Sequence, residues 1–137
     1  MVVLLCCLLS AGDPGVIIVD GVWFYGDNRM SIVFSTGDMV EVHDQVGDTL
    51  HISYAGATGT LLEGVLINLN EPLAEEKLYV FAFSYFDDGS FVQAARLFDT
   101  FVRYFPESTF YAEALYHHGL ACEQVARILN PADSFPG

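Results

Sequence analysis

The stretch "SYFDDGSFVQAARLFDTFVRYFPES", residues 84–108, limits the fold more than any other. Phe91, Ala94, Ala95, Phe98, Phe101 and Val102 recur at steps of three and four, the period of one helix face. Before them, Asp87, Asp88 and Gly89 break an apolar pattern, and Pro106 ends the new one. Ser90 with Gln93 three residues on forms the S-x-x-Q capping box of a helix start. Two helices joined by so short a turn must fold back on each other. Asp99 and Arg103 add a favourable i,i+4 pair on the outward side.

The flanks extend this pattern. In "NLNEPLAEEKLYVFAFSYFDDG" the sequence predicts Asn70 as N-cap and Pro72 in the first turn. Glu71, Glu75 and Glu76 lie where the helix dipole favours negative charge. Leu78, Phe81, Ala82 and Tyr85 make one apolar face, and Tyr79, Phe83 and Phe86 lie beside it. Such a helix is covered on two sides or offers one to a partner. Downstream, Ser108 is expected to cap a third helix running to about Leu129. Its inward face is read as Ala112, Leu115, Tyr116, Gly119, Cys122, Val125 and Ala126, with Glu123 and Arg127 paired outside. Small Ala82, Ala94 and Gly119 are expected on inward stripes, where helices approach closely. Cys122 reads as a small core residue.

Residues 16–70 follow a different period. "MVEVHD" alternates Val40 and Val42 with Glu41 and His43, and "TLHISYAG" alternates Leu50, Ile52 and Tyr54 with His51 and Ser53. Period-two alternation with Gly/Asp turns about every ten residues indicates short antiparallel strands. Five or so of them make a small barrel or curled sheet. The cluster Trp23, Phe24 and Tyr25 reads as core plus one half-exposed ring, with a ligand platform as the alternative. His43 and His51 fall on the polar sides of their strands.

The chain opens "MVVLLCCLLSAGDPG". An apolar run of this length is too short to span a bilayer but suits a secretory signal, with small residues before Asp13 for cleavage. Residues 1–12 are therefore expected to be a signal peptide, and the protein to be extracytoplasmic, in the periplasm or cell envelope. No charged n-region precedes the run. The net charge is −13, from 18 acidic and 5 basic residues, and residues 30–76 contain no Lys or Arg. That balance argues against nucleic acid, whose phosphates require basic groups, and against an anionic membrane surface. No integral membrane span is expected.

Two resemblances follow. "GDMVEVHDQVGDTLHISYAGATGTLLEGVL" resembles a bacterial SH3-like domain, through Gly37, Asp38, Val40, Val42, Ile52, Tyr54, Gly56, Gly59 and Val65. The "N-V-R" opening of cell-wall-binding members is replaced by "VWFY", and Thr60 stands where an aromatic is usual. Leu78, Phe81, Ala82, Tyr85, Gly89, Phe91, Ala94, Phe98 and Pro106 resemble a tetratricopeptide repeat, with Phe101 where Ala is commoner. "YFPESTFYAEALYHHG", through Pro106, Ser108, Ala114, Tyr116 and Gly119, is similar to repeats of bacterial envelope proteins, the outer-membrane assembly lipoproteins and the Tol-Pal coordinator.

The expected fold is α+β: a small SH3-like β-barrel at 16–70, then about three tetratricopeptide-type helices at 71–129 and a tail at 130–137. The repeat resemblance implies a non-catalytic scaffold of the cell envelope that binds a protein partner. The alternative is a cell-wall-targeting SH3-like module of a hydrolase system. The partner-binding residues implied are Tyr79, Phe83 and Leu120, with Tyr116 at the edge and Glu76 and Glu123 as polar rim. With one repeat and part of a second, self-association stays open. No nucleophile with its base, phosphate-binding glycine loop or metal motif stands in the sequence, so no catalytic residue, cofactor or metal is expected. His117 and His118, adjacent on a helix, point about 100° apart and are poorly placed to share a metal.

Overall fold

The computed structural model describes residues 12–130. The expected signal segment, Cys6 and Cys7 within it, and the expected tail lie outside the described residues, save Gly12 and Asn130. The protein is α+β and divides into two compact units, one ending at Glu71 and the other starting at Pro72.

The first unit contains β1 (Asp13–Ile17), β2 (Val22–Tyr25), β3 (Ser31–Phe34), β4 (Met39–Val46), β5 (Thr49–Tyr54), β6 (Ala57–Leu62), a 3₁₀ turn (Glu63–Val65) and β7 (Leu66–Asn68). The strands pair antiparallel as a five-stranded sheet of order β6-β5-β4-β1-β7 and a separate β2-β3 ribbon. Alternation sets the faces: Val40, Val42, Leu50 and Ile52 are buried, while Glu41, His43 and His51 are exposed. Phe24 and Phe34 of the ribbon enter the same core, with centroids 5.5 Å apart. Each such side chain contributes roughly 1.5–3 kcal/mol by leaving water. Ala55 (φ 52°) and Gly56 (φ 84°) form a two-residue β5–β6 turn with both residues left-handed, which matches the twist of the strands it joins.

Two expectations are corrected in this unit. The first strand starts at Asp13, ahead of the expected start of the β domain at Val16, and includes Pro14 and Gly15. Pro14 is tolerated because it sits at the strand's beginning and works as an acceptor, taking the Leu69 amide at 2.8 Å. Val65, which the SH3-like resemblance implies for the last strand, closes the 3₁₀ turn instead.

The second unit contains α1 (Ala74–Asp87), α2 (Phe91–Tyr104) and α3 (Tyr111–Leu129). The α1–α2 turn is a Schellman motif. The Gly89 amide donates to Phe86 O and the Ser90 amide to Tyr85 O, with Gly89 at φ 79°. Phe86 meets Phe91 beside the turn at 5.4 Å and Tyr79 meets Phe101 at the far end at 5.7 Å, so the helices are antiparallel. Between them Leu78, Ala82, Ala94, Leu97, Phe98 and Phe101 are fully buried. Helix α3 runs alongside α1 in the same direction. Tyr79 bonds Glu113, and Phe83 packs on His117 with the same 34-residue offset.

Capping differs from the sequence expectation. Helix α1 starts at Ala74, and Asn70 instead donates to the Asp13 carboxylate at 2.8 Å. Ser90 holds the N-cap position, but its hydroxyl makes no cap hydrogen bond. Ser108 precedes α3 by one turn: its hydroxyl accepts the Phe110 amide at 3.0 Å and donates to Glu75 at 2.8 Å.

The largest correction concerns α3. Of the residues expected inside, Ala112, Leu115, Tyr116, Gly119, Cys122 and Ala126 are exposed, and Val125 is partly buried. The inward residues are Ala114, His117, His118 and Ala121. The physical reason is the wall they face. Phe83, Phe86 and Phe98 surround His117 at 4.9, 5.1 and 5.8 Å, so the third helix supplies flat or small residues where the others supply bulk. A Cβ on Gly119 would meet nothing within 4 Å, so this glycine mediates no close approach. Phe81, expected on the buried stripe of α1, is likewise exposed.

Candidate functional site

Helix α1 has two apolar aspects, and the one turned away from Leu78 and Ala82 carries the candidate site. Tyr79, Val80, Phe83, Ser84, Asp87 and Asp88 line a concavity of about 560 Å³. From Val80 onward these residues recur at i, i+3, i+4, i+7 and i+8, one continuous helix face. Val80 is 65% exposed, which leaves an aliphatic side chain in water at the start of the face.

Tyr79 is the fixed wall of this concavity. Its ring stacks on Phe110 at 4.6 Å and its hydroxyl donates to Glu113 Oε2 at 2.8 Å. Burial, then the hydrogen bond to Glu113 and that carboxylate's charge, push the phenol up to about 12. Phe83 continues the wall, 6.0 Å from Tyr79 and edge-on to His117. The His117 Nδ1–H donates to the Glu113 carbonyl at 2.8 Å, so that ring is fixed on both sides. Asp87 and Asp88 make the C-terminal end of the concavity acidic.

The six residues read from the sequence thus separate. Tyr79 and Phe83 lie together in the concavity. Tyr116, 64% exposed, and the partly buried Leu120 are on α3 and do not line it. Glu76 is exposed one turn before Tyr79, and Glu123 is paired with Arg127 at 2.8 Å. Val80, Ser84, Asp87 and Asp88 were not read from the sequence. Their signal is the i, i+4, i+7, i+8 stripe that starts from an apolar residue outside the core face.

The first unit presents two further surfaces. Trp23 and Tyr25 are 56% and 68% exposed, their rings within 10° of parallel and 6.0 Å apart, while Phe24 between them is buried. The cluster therefore shows two exposed rings, not one. Elsewhere on this unit, a bulge between Val42 and Asp44 leaves His43 unpaired in the β4–β5 ladder. His43, Asp44 and His51 line a concavity of about 360 Å³ with Thr58, Gly59 and Thr60. His51 Nδ1 bonds the Asp44 carboxylate. His43 uses one nitrogen, Nε2, towards both Ser53 (2.8 Å) and Glu41 (3.9 Å), so the acid does not orient the ring from its other side as a nucleophilic triad requires.

Among the described residues no group of three or more His, Cys, Asp or Glu is placed to hold a metal ion. Among them, too, no helix is long and apolar enough to cross a membrane. Comparison with protein-family models, with curated proteins and with solved structures finds no match.

Proposed function

We propose that the chain is a non-catalytic protein-interaction module of the bacterial cell envelope, binding a protein partner along α1 through tetratricopeptide-type helices. In this reading an SH3-like β domain precedes the helices, and a signal peptide directs the protein out of the cytoplasm. The observation that carries the proposal is the repeated 34-residue offset between α1 and α3, seen in Tyr79–Glu113 and Phe83–His117. Thirty-four is the tetratricopeptide period, and a helix pair that recurs at that step stacks into a concave, partner-binding surface. The Schellman turn at Gly89, the small Ala82 and Ala94 between the helices and the α1 concavity support the same reading.

The test is site-specific photo-crosslinking in an envelope extract. A photoreactive residue at Val80 is expected to trap one discrete partner, and one at Val92, also exposed but on α2, is expected to trap none. Val80→Arg is expected to abolish capture with an unchanged circular dichroism spectrum. Equal trapping from both positions, or none from Val80, would refute the reading.

A further inference from the structure

We infer that the outer face of the β2–β3 ribbon is a second binding site, for a lysine- or arginine-bearing segment of another protein. This site lies in the first unit and does not depend on the helical reading.

The two rings cannot turn inward. Phe24 fills the core from the same strand, so Trp23 and Tyr25, one residue to either side, must point out. The strand itself is held. The Asp27 amide donates to the Thr58 carbonyl at 2.9 Å, and the Thr58 amide returns a bond to the Asp27 carboxylate at 3.0 Å. Val33, paired with Trp23 across the ribbon and 43% exposed, widens the apolar surface. A rigid pair of nearly parallel aromatic rings in water is a ready platform, because its ordering is complete before a ligand arrives.

The charge around the platform selects the ligand. Trp23 also walls a concavity of about 260 Å³ with Thr49, Thr60, Leu62 and Val65. Asp48 and Glu63, exposed, adjoin Thr49 and Leu62 at its rim, and the Glu63 amide bonds the Asp48 carbonyl at 2.9 Å. Gln45 holds the Glu63 carboxylate at 2.7 Å. From residue 12 to 71 the sequence has nine carboxylates and a single basic residue, Arg29. An ammonium or guanidinium group gains from a tryptophan face within about 6 Å and from carboxylates beside it. An anionic ligand meets net repulsion from these carboxylates, opposed only by Arg29 in the β2–β3 turn, and a neutral one makes no use of the field.

Trp23 is the only tryptophan in the chain, so its fluorescence reports on this site alone. The experiment titrates the full chain with an unstructured peptide of alternating Lys and Gly, one of alternating Glu and Gly, and chitotetraose. Amide chemical shifts are followed in parallel. The expected result is a saturable Trp23 response to the lysine peptide, weakened by salt, with shifts confined to β2, β3 and the Asp48–Glu63 rim. Tyr25→Ala, which changes no charge, is expected to weaken binding about tenfold, and the double variant Asp48→Asn with Glu63→Gln at least as much. Diffuse shifts over the acidic surface with no loss in Tyr25→Ala would overturn the inference, as general attraction to a chain of net charge −13 gives that result. So would no saturable response to the lysine peptide, or a tighter response to chitotetraose, which would give the platform to a glycan.

Discussion

Asp27 and Thr58, thirty-one residues apart, exchange two amide-donated hydrogen bonds that fasten the β2–β3 ribbon to β6. The bond from the Thr58 amide, and then that from the Thr58 side chain, hold the Asp27 carboxyl below its ordinary value. A carboxyl lowered in the folded state stabilises above the unfolded value, about pH 4, and that stability is lost as pH falls through the folded value. Asp27→Asn is therefore expected to unfold at lower urea than the parent at pH 7, and the two are expected to converge in acid. Urea midpoints between pH 7 and pH 3 check this. A difference that stays constant over the range would refute the role given to the ion.

Gly59 lies directly beneath the same ribbon. A Cβ built there would stand 2.7 Å from Phe24 Cε1 and 2.7 Å from the Tyr25 carbonyl oxygen. Neither neighbour can retreat, since one is core and the other main chain. Gly59→Ala is expected to destabilise by about 1–3 kcal/mol, the cost of overpacking a close-packed contact. It should also shift the Trp23 emission maximum, because the strand that carries the indole must move. Denaturant unfolding and the emission spectrum of the folded variant test both parts.

Thr36 is buried, 1% exposed; its amide reaches Asp20 at 2.7 Å, but its hydroxyl finds no partner. A buried polar group without a hydrogen bond costs roughly 1–3 kcal/mol. Thr36→Val keeps the shape and removes that cost, so it is expected to stabilise by about 1 kcal/mol. A melting temperature at or below the parent's would contradict the orphaned state of this hydroxyl.

The strands of the first unit were legible because one rule governs them: Val40, Val42, Leu50 and Ile52 alternate, and their side chains go where alternation sends them. The α1–α2 turn was legible for a similar local reason, since Gly89 and its neighbours fix the chain reversal by themselves. Asn70 misled because its partner, Asp13, lies 57 residues away, and no local pattern shows that a capping residue is engaged elsewhere. Helix α3 misled because hydrophobic periodicity assumes that the most apolar face is inside. Here the aromatic bulk of Phe83, Phe86 and Phe98 fills the space, and the complementary face is Ala114, His117 and Ala121. Tyr79 and Phe83 were legible as candidate-site residues because they exceed one buried face. Tyr116 and Leu120 were tied to them through the misjudged face of α3.

Tyr79 gives a pH test of the helical unit. Burial and the Glu113 carboxylate raise its phenol to about 12, against about 10 in an unfolded chain. The folded state therefore keeps a proton that the unfolded state loses, so this contribution is fully present below about pH 10 and disappears as pH rises towards 12. Tyr79→Phe is expected to lose less stability than the parent over that interval. Ultraviolet titration should show one of the seven tyrosines ionising late, and that late step should vanish in the variant. A late step that persists in Tyr79→Phe belongs to another residue.

The inverted face of α3 predicts a contrast between two leucines. Leu78 on α1 is fully buried between helices, and Leu115 on α3, apolar and at helical spacing with its neighbours, is 48% exposed. Leu78→Ala removes a core side chain and leaves a cavity, so it is expected to cost about 2–5 kcal/mol. Leu115→Ala removes an equal volume from a surface already in water and is expected to stay within about 0.5 kcal/mol of the parent. Urea unfolding of the two variants side by side is sufficient, because the substitutions are chemically identical. Equal losses would mean that Leu115 is covered in solution, either by another copy of the chain or by a different packing of α3. A loss that grows with protein concentration in the Leu115 variant would single out the other copy, because only an intermolecular contact follows mass action.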